Sequence, residues 1–270
     1  MKLAVSQICT LPASFEQDIE EYAACGIEQV EIWLTKLEQY LATHTVRDAR
    51  QLLERHRMQA PVASMQGGLL TTTGAAREAA WELLSRRLQL CRELDTCVLV
   101  VACDVPAPLA DADRYRVPSS LGELARAGES AGVRMALEFQ AGAGLGNNLQ
   151  TAAALVADIA SPWLGICLDA FHFAVGPSKS EDLAYLSAET LAHVQLCDLI
   201  GQLRETAADR DRILPGDGDL PLAAIVRHLQ AMDYRGTISV EIMNPQIWEI
   251  GVRQVADTCL AAARRCMAPA

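Results

Sequence analysis

The sequence predicts an α/β fold in which eight parallel strands close into a barrel, each followed by a helix. Three observations predict it. Short apolar runs alternate with helix-patterned segments along all 270 residues, the rhythm of βα units on a parallel sheet. There are eight such runs, and open doubly wound sheets usually hold fewer, which favours a closed (β/α)8 barrel. Four of the runs carry one oxygen-bearing side chain at or near their ends, and a barrel gathers all strand C-termini on one face. No linker or low-complexity stretch breaks the rhythm. Residues 1–270 are therefore read as a single domain, as is common for barrels of this length.

The elements follow in order. Lys2 to Ile8 is the first strand, and Ser14 caps a helix that runs to about Cys25, with Gly26 as its C-terminal stop. Gln29 to Leu34 is the second strand, and Val46 to Met58 a helix rich in Arg, Leu and Glu. Ala60 to Met65 is the third strand, and Gly67-Gly68 opens the loop after it. Ala75 to Leu94 is a long helix of good helix formers. Thr96 to Ala102 is the fourth and most apolar strand. Tyr115 to Ala131 is helical with Pro118 expected in the first turn, and Gly132 leads into the fifth strand, Arg134 to Glu138. Thr151 to Ile159 is a helix, and Leu164 to Asp169 the sixth strand. Glu181 to Leu191 is expected as a short helix before the seventh strand, Ala192 to Cys197. Leu220 to Met232 is a helix begun by Pro221, Thr237 to Glu241 the eighth strand, and Val252 to Cys266 the closing helix.

Composition narrows the function. Half of the chain is hydrophobic (51%), enough for a large core, and the net charge is −11. That balance argues against a nucleic-acid surface, whose footprint is basic. Nine cysteines, with no CxxC spacing, read as reduced thiols of a cytoplasmic protein. The N-terminus enters a strand directly, without a leader-like apolar core. No stretch reaches the roughly 18 apolar residues of a membrane span.

The run Leu164 to Asp169, with His172 three residues on, is the centre of the argument. An acid closing a strand buried on both faces is costly unless something offsets it. Glu138, Gln195 and Glu241 stand at matching places on neighbouring strands. Glu138, Asp169, Gln195 and Glu241 could then converge, and three carboxylates so close repel unless a divalent cation joins them. An all-oxygen set suits Mn²⁺ or Mg²⁺ best, with Co²⁺ and Zn²⁺ as further choices. The connection Asp198 to Asp219 is long and polar and carries Arg204, Arg210 and Arg212. Loops this long are usually functional or disordered, and its arginines are expected to reach the pocket when the loop folds inward on substrate. Arg210 and Arg212 could also serve only as partners for Asp209, Asp211 or Asp217. His193 reads as a satisfied core residue deeper in the barrel. His44, His56 and His228 fall on helices and read as surface. Glu31 is read either as a partner beneath the site or as a rim charge.

Four motifs, ALEF at Glu138, CLDAFH at Asp169 and His172, HVQLCD at Gln195 and SVEIMNP at Glu241, resemble the xylose isomerase-like TIM barrel family. The stretch Asp209 to Gly218, with its Arg and Pro-Gly, resembles that family's loop after the seventh strand. The family holds sugar isomerases and epimerases, among them inosose isomerases, hydroxypyruvate isomerases and ketose 3-epimerases, together with dehydroshikimate dehydratases and endonuclease IV.

The resemblance implies one divalent metal on Glu138, Asp169, Gln195 and Glu241. It implies Glu138 and Glu241 as an acid–base pair that moves a proton next to a carbonyl. It implies substrate binding by His172, Arg212 and Arg210; Trp248 is the best substrate-facing tryptophan. The expected activity is isomerisation or epimerisation of a small polyhydroxy carbonyl compound: a sugar, a sugar phosphate or an inosose. Gln195 departs from the His usual in the epimerases and inosose isomerases, and resembles the hydroxypyruvate isomerases and dehydratases. A lyase of the 3-dehydroshikimate dehydratase type is thus the alternative. A nuclease would need more histidines than five, and a non-catalytic sugar-binding barrel would not need four competent metal positions. The expected partner is a small carbohydrate-like molecule, with no nucleic acid and no membrane; a homo-oligomer is compatible with the sequence.

Overall fold

The computed structural model describes residues 1–268. Eight strands, β1 (Lys2–Ser6), β2 (Gln29–Trp33), β3 (Gln59–Gln66), β4 (Val98–Cys103), β5 (Arg134–Phe139), β6 (Leu164–Asp169), β7 (Leu191–Leu196) and β8 (Thr237–Val240), form a closed barrel in chain order. All neighbours are parallel, including β8 with β1. The helices are α1 (Phe15–Ala24), α2 (Leu34–Tyr40), α3 (Val46–Arg55), α4 (Gly74–Glu93) and α5 (Asp113–Ala131), followed by α6 (Leu149–Ile159), α7 (Ala170–Val175), α8 (Leu222–Ala231), α9 (Pro245–Trp248) and α10 (Val252–Met267). Among the described residues no helix is long and apolar enough to cross a membrane.

Local chemistry sets the boundaries. Ser14 Oγ accepts from Gln17 N at 3.1 Å and starts α1. Thr45 and Asp48 form a reciprocal capping box on α3. Asn148 caps α6 through Thr151 N at 2.9 Å. Gly132 ends α5 at φ 69°, a conformation that favours glycine.

Several expectations need correction. The first strand ends at Ser6, and Gln7–Thr10 is a 3-10 turn. Pro118 is the sixth residue of α5 and not in its first turn, because the helix begins two residues earlier at Asp113. Glu181 to Leu191 is not a helix. A 3-10 turn covers Ser180–Tyr185, and Ser187 and Thr190 then bond each other's backbone and side chains at 2.9–3.3 Å. Such local bonds compete with a helix ladder, and Leu191 already belongs to β7. Two short helices, α2 and α7, follow their strands without a break.

Two apolar layers result. Large side chains such as Phe15, Tyr22, Ile32, Leu99, Phe139 and Leu168 fill the space between sheet and helices. Burying each stabilises the fold by roughly 2 kcal/mol. Inside the barrel the apolar residues are small: Val62, Val100, Ala136 and Cys167. Ala136 and Cys167 stand two residues before Glu138 and Asp169, on the same face of their strands. The closure of the barrel is marked by Cys9. Its thiol donates to Val240 O and accepts from Ile242 N, each at 3.3 Å, and so brackets the backbone of Glu241. Behind the 3-10 turn lies a buried ion pair, Lys36 Nζ to Asp18 Oδ2 at 2.5 Å. Lys36 also donates to Thr10 O at 2.6 Å, and Thr10 Oγ1 to Asp18 at 2.8 Å.

Candidate active site

Glu138, Asp169, Gln195 and Glu241 all lie at the C-terminal ends of adjacent strands β5 to β8, and each is at most 4% exposed. Asp169 has two duties. Its Oδ1 accepts from Phe171 N at 2.8 Å and caps α7. Its Oδ2 lies 2.8 Å from Arg212 Nη2, a charge contact outside hydrogen-bond geometry that leaves this oxygen without a donor. The cap turns the chain so that His172 comes back over the acid, Nε2 3.8 Å from Asp169 Oδ2. His172 Nδ1 accepts from Ala141 N at 3.4 Å, which leaves the ring proton on Nε2, facing the site. Burial holds this imidazole below its ordinary value and hence neutral near pH 7. Glu138, Asp169 and His172 each offer an atom within 4.8 Å of the others.

Arg212 is the cation of the site. The loop after β7 is folded inward and carries Arg212 to the strand ends. Arg212 is 1% exposed. Its Nη1 donates to Glu241 Oε2 at 3.1 Å, and its Nε and Nη2 to Asp209 Oδ1 at 3.0 and 2.7 Å. Its guanidinium lies 4.4 Å from the centre of the Phe171 ring. Burial opposes its charge, but Asp169, Glu241 and Asp209 hold it protonated. Arg212 thus pairs with Asp209 and also contacts Asp169 and Glu241. Arg210 is exposed and is not brought to the others. Trp248 is half-buried, its Nε1 bonded to Ile8 O at 2.8 Å.

A polar layer lies beneath. Glu31, fully buried, receives His193 Nε2 at 2.8 Å and Gln195 Nε2 at 2.9 Å. It is a partner under the site and not a rim charge. Burial, the largest single influence, would push Glu31 up; its contacts with His193, Ser239 and Ser64 together offset this and hold it below the usual range. Gln195 Nε2 also donates to Glu241 Oε1 at 2.8 Å, and Gln195 Oε1 receives the Cys167 thiol at 3.1 Å. The amide thus turns its nitrogen towards Glu241; to offer oxygen there it has to turn over.

The two glutamates are the most perturbed acids of the site. Burial, then the neighbouring Asp169, pushes Glu138 well above the usual carboxylate range. Burial also pushes Glu241 well up, against the pull of Arg212. Gln140 Nε2 donates to Glu138 Oε2.

The motifs missed Gln140. Asp209 and Asn244 fall inside quoted stretches but were given no place in the site; Asp209 stood only as a charge partner, and Asn244 Nδ2 donates to Arg212 O at 3.0 Å.

A family model described as xylose isomerase-like TIM barrel matches residues 19–261. The chain belongs to that family. Among its relatives, an inosose isomerase of Bacillus velezensis is 25% identical over 266 residues, which cover 96% of this chain and 94% of that protein. A 3-dehydroshikimate dehydratase of Pseudomonas aeruginosa is 28% identical over 242 residues, 87% of this chain but 37% of the dehydratase. Among solved structures, the IOLI protein with a binding zinc atom superposes with a TM-score of 0.92 at 21% identity, covering 99% of this chain and 98% of that one. A D-psicose 3-epimerase of Clostridium cellulolyticum H10, with D-tagatose, gives 0.80 at 19% identity over 99% of both chains. These likenesses extend the barrel to the whole chain. In the xylose isomerase-like barrel seen here, the strand ends β5 to β8 and the loop after β7 carry Glu138, Asp169, Gln195, Glu241 and Arg212.

Proposed function

We propose that the protein is a divalent-metal-dependent isomerase or epimerase of a small polyhydroxy carbonyl compound. The observation that carries the proposal is the pair Glu138 and Glu241. They are buried at the C-terminal ends of β5 and β8, burial pushes both carboxyls above the usual range, and they flank Asp169 and Arg212. A carboxylate with a raised pKa is a competent base near neutral pH and, once protonated, a competent acid. One glutamate takes the proton next to the carbonyl, giving an enediolate, and the other returns a proton to the same or the adjacent carbon. His172 Nε2–H offers a donor to a substrate oxygen. The Arg212 guanidinium lies beside Asp169 and Glu241, where negative charge develops.

The donor set fits a metal. Asp169 Oδ2 has no hydrogen-bond donor although it is buried, and Glu138 lies beside it. Glu138, Asp169 and Glu241 would hold the ion, with Gln195 as fourth ligand once its amide turns over. Oxygen ligands suit Mn²⁺ or Mg²⁺, and the zinc of the IOLI protein supports a transition metal equally. When bound, the ion supplies Lewis acidity at the substrate carbonyl. The inosose isomerase and D-psicose 3-epimerase likenesses support a neutral ketose or inosose as substrate.

The 3-dehydroshikimate dehydratase reading is kept as the alternative because of Gln195 and the 28% identity to such an enzyme. There the same proton is removed but a β-hydroxyl leaves. Incubation in D₂O with ketoses, inososes, hydroxypyruvate and dehydroshikimate separates the two. Deuterium entering the α-carbon with no change in composition marks an isomerase or epimerase, and loss of water marks the lyase. Turnover without exchange and without metal excludes both.

A further inference from the structure

The loop from Asp198 to Asp219 leaves β7, makes a wide excursion and returns to α8. Its hold on the barrel is concentrated in one side chain. Asp198 is 1% exposed, and three backbone N–H groups satisfy its carboxylate. Oδ1 accepts from Leu199 N and Leu220 N, and Oδ2 from Gly216 N, each at 2.9 Å. Its own backbone pairs antiparallel with Ile213, N to O at 2.9 Å in both directions. One residue thus ties together the start, the inward limb and the end of the loop. Gly218 is part of the fit: a Cβ there would collide with the Leu199 carbonyl and the Asp198 carboxylate.

Ile213 is next to Arg212. Fixing Ile213 to Asp198, just past β7, fixes one flank of Arg212, and Asn244 beyond β8 holds its carbonyl on the other, at 3.0 Å. A guanidinium on a long flexible stem carries considerable rotamer freedom. The paired backbone anchors limit it to one direction, towards Asp169 and Glu241.

We propose that Asp198 is the positioning residue of Arg212: its carboxylate clips the loop after β7 so that the guanidinium stands between Asp169 and Glu241. The proposal rests on the reading of Arg212 and the surrounding carboxylates as the working site. The clip acts through backbone geometry. Asp198 faces the loop's own N–H groups, and a carboxylate with three such donors is the natural closure of a tight loop.

The test uses the full chain with Asp198→Asn and, as an independent attack on the same clip, Gly218→Ala. Hydrogen exchange at Gly216 and Leu220 reads the clip directly, and Mn²⁺ titration by calorimetry reads the position of Arg212. Both variants are expected to lose protection at these amides by about tenfold or more. Both are expected to bind Mn²⁺ about fivefold tighter, as Arg212→Ala does, because a positive charge leaves the carboxylates. In the Arg212→Ala background, Asp198→Asn should add nothing to Mn²⁺ affinity. A lower melting temperature with unchanged Mn²⁺ affinity would reduce Asp198 to a structural residue. An equal effect with and without Arg212 would show that it acts by another route. If the wild type binds no Mn²⁺, the functional reading of the site falls, while the exchange data still decide whether Asp198 holds the loop.

Discussion

Arg212 stands 2.8 Å from Asp169 and 3.1 Å from Glu241, so one cation links the ends of β6 and β8. Arg212→Ala is expected to raise KM and lower kcat/KM by about 10- to 100-fold, the range for losing a hydrogen bond from a charged group. Metal content should be retained. Steady-state kinetics with elemental analysis of the same preparation checks both halves. Wild-type kinetics in the variant would leave this arginine as a partner of Asp209 alone.

Glu138→Gln and Glu241→Gln should each lower turnover by about 10²- to 10⁴-fold, the span of general acid–base catalysis. Each also removes a charged ligand, so the assay is run at saturating Mn²⁺ to separate proton transfer from metal loss. Chelator treatment of the wild type should abolish turnover, and Mn²⁺ or Mg²⁺ should restore it. Full activity after complete metal removal counts against the proposal.

Gln195→His is expected to tighten metal binding and shift preference towards Zn²⁺, since imidazole is the stronger and softer ligand. It also removes the donor that Glu31 and Glu241 share. Competitive titration with Zn²⁺ and Mn²⁺ measures the shift. An unchanged preference means that position 195 stays a hydrogen-bond donor beside the site and does not reach the ion.

The buried pair of Asp18 and Lys36 gives a prediction for stability. Burial pushes the Asp18 carboxyl from 3.8 up to about 6, against the pull of Lys36. The folded chain therefore binds more protons than the unfolded chain between those values. The contribution of this group is complete below pH 3.8 and is lost as the pH rises through about 6. Wild-type stability minus that of Asp18→Asn should fall across this window and level off above it. Denaturant melts at a series of pH values measure the difference; a flat or rising curve contradicts the assignment. Lys36→Met, which strands the acid, should cost about 3–5 kcal/mol near neutral pH.

The barrel and much of the site were legible in the sequence, for reasons that differ by residue. Glu138, Asp169 and Glu241 stood out because an acid ending a wholly apolar strand has few explanations. His172 came with the CLDAFH motif that carries the family resemblance; the helix that delivers it, α7, was too short to leave a periodic pattern. Glu31 stayed ambiguous because strands of a parallel barrel are buried on both faces, and alternation then says little about direction. Arg210 and Arg212 looked alike on paper. Only the loop's path separates them, and that path depends on Asp198 and Gly218, residues whose role is set by backbone contacts across the loop.

The closure at Cys9 has a bearing on how the protein is made. The thiol and the Val240 carbonyl it binds are 231 positions apart in the chain. A ribosome delivers β1 first and must add most of those 231 positions before β8 exists to meet it. Until then β1 and β7 are open edges, which invite pairing with other chains. Glu241 itself is missing from every nascent product that ends before or within β8. A translation product that stops between β5 and β8 is therefore left with one of the two glutamates, an unclosed sheet and a hazard of aggregation.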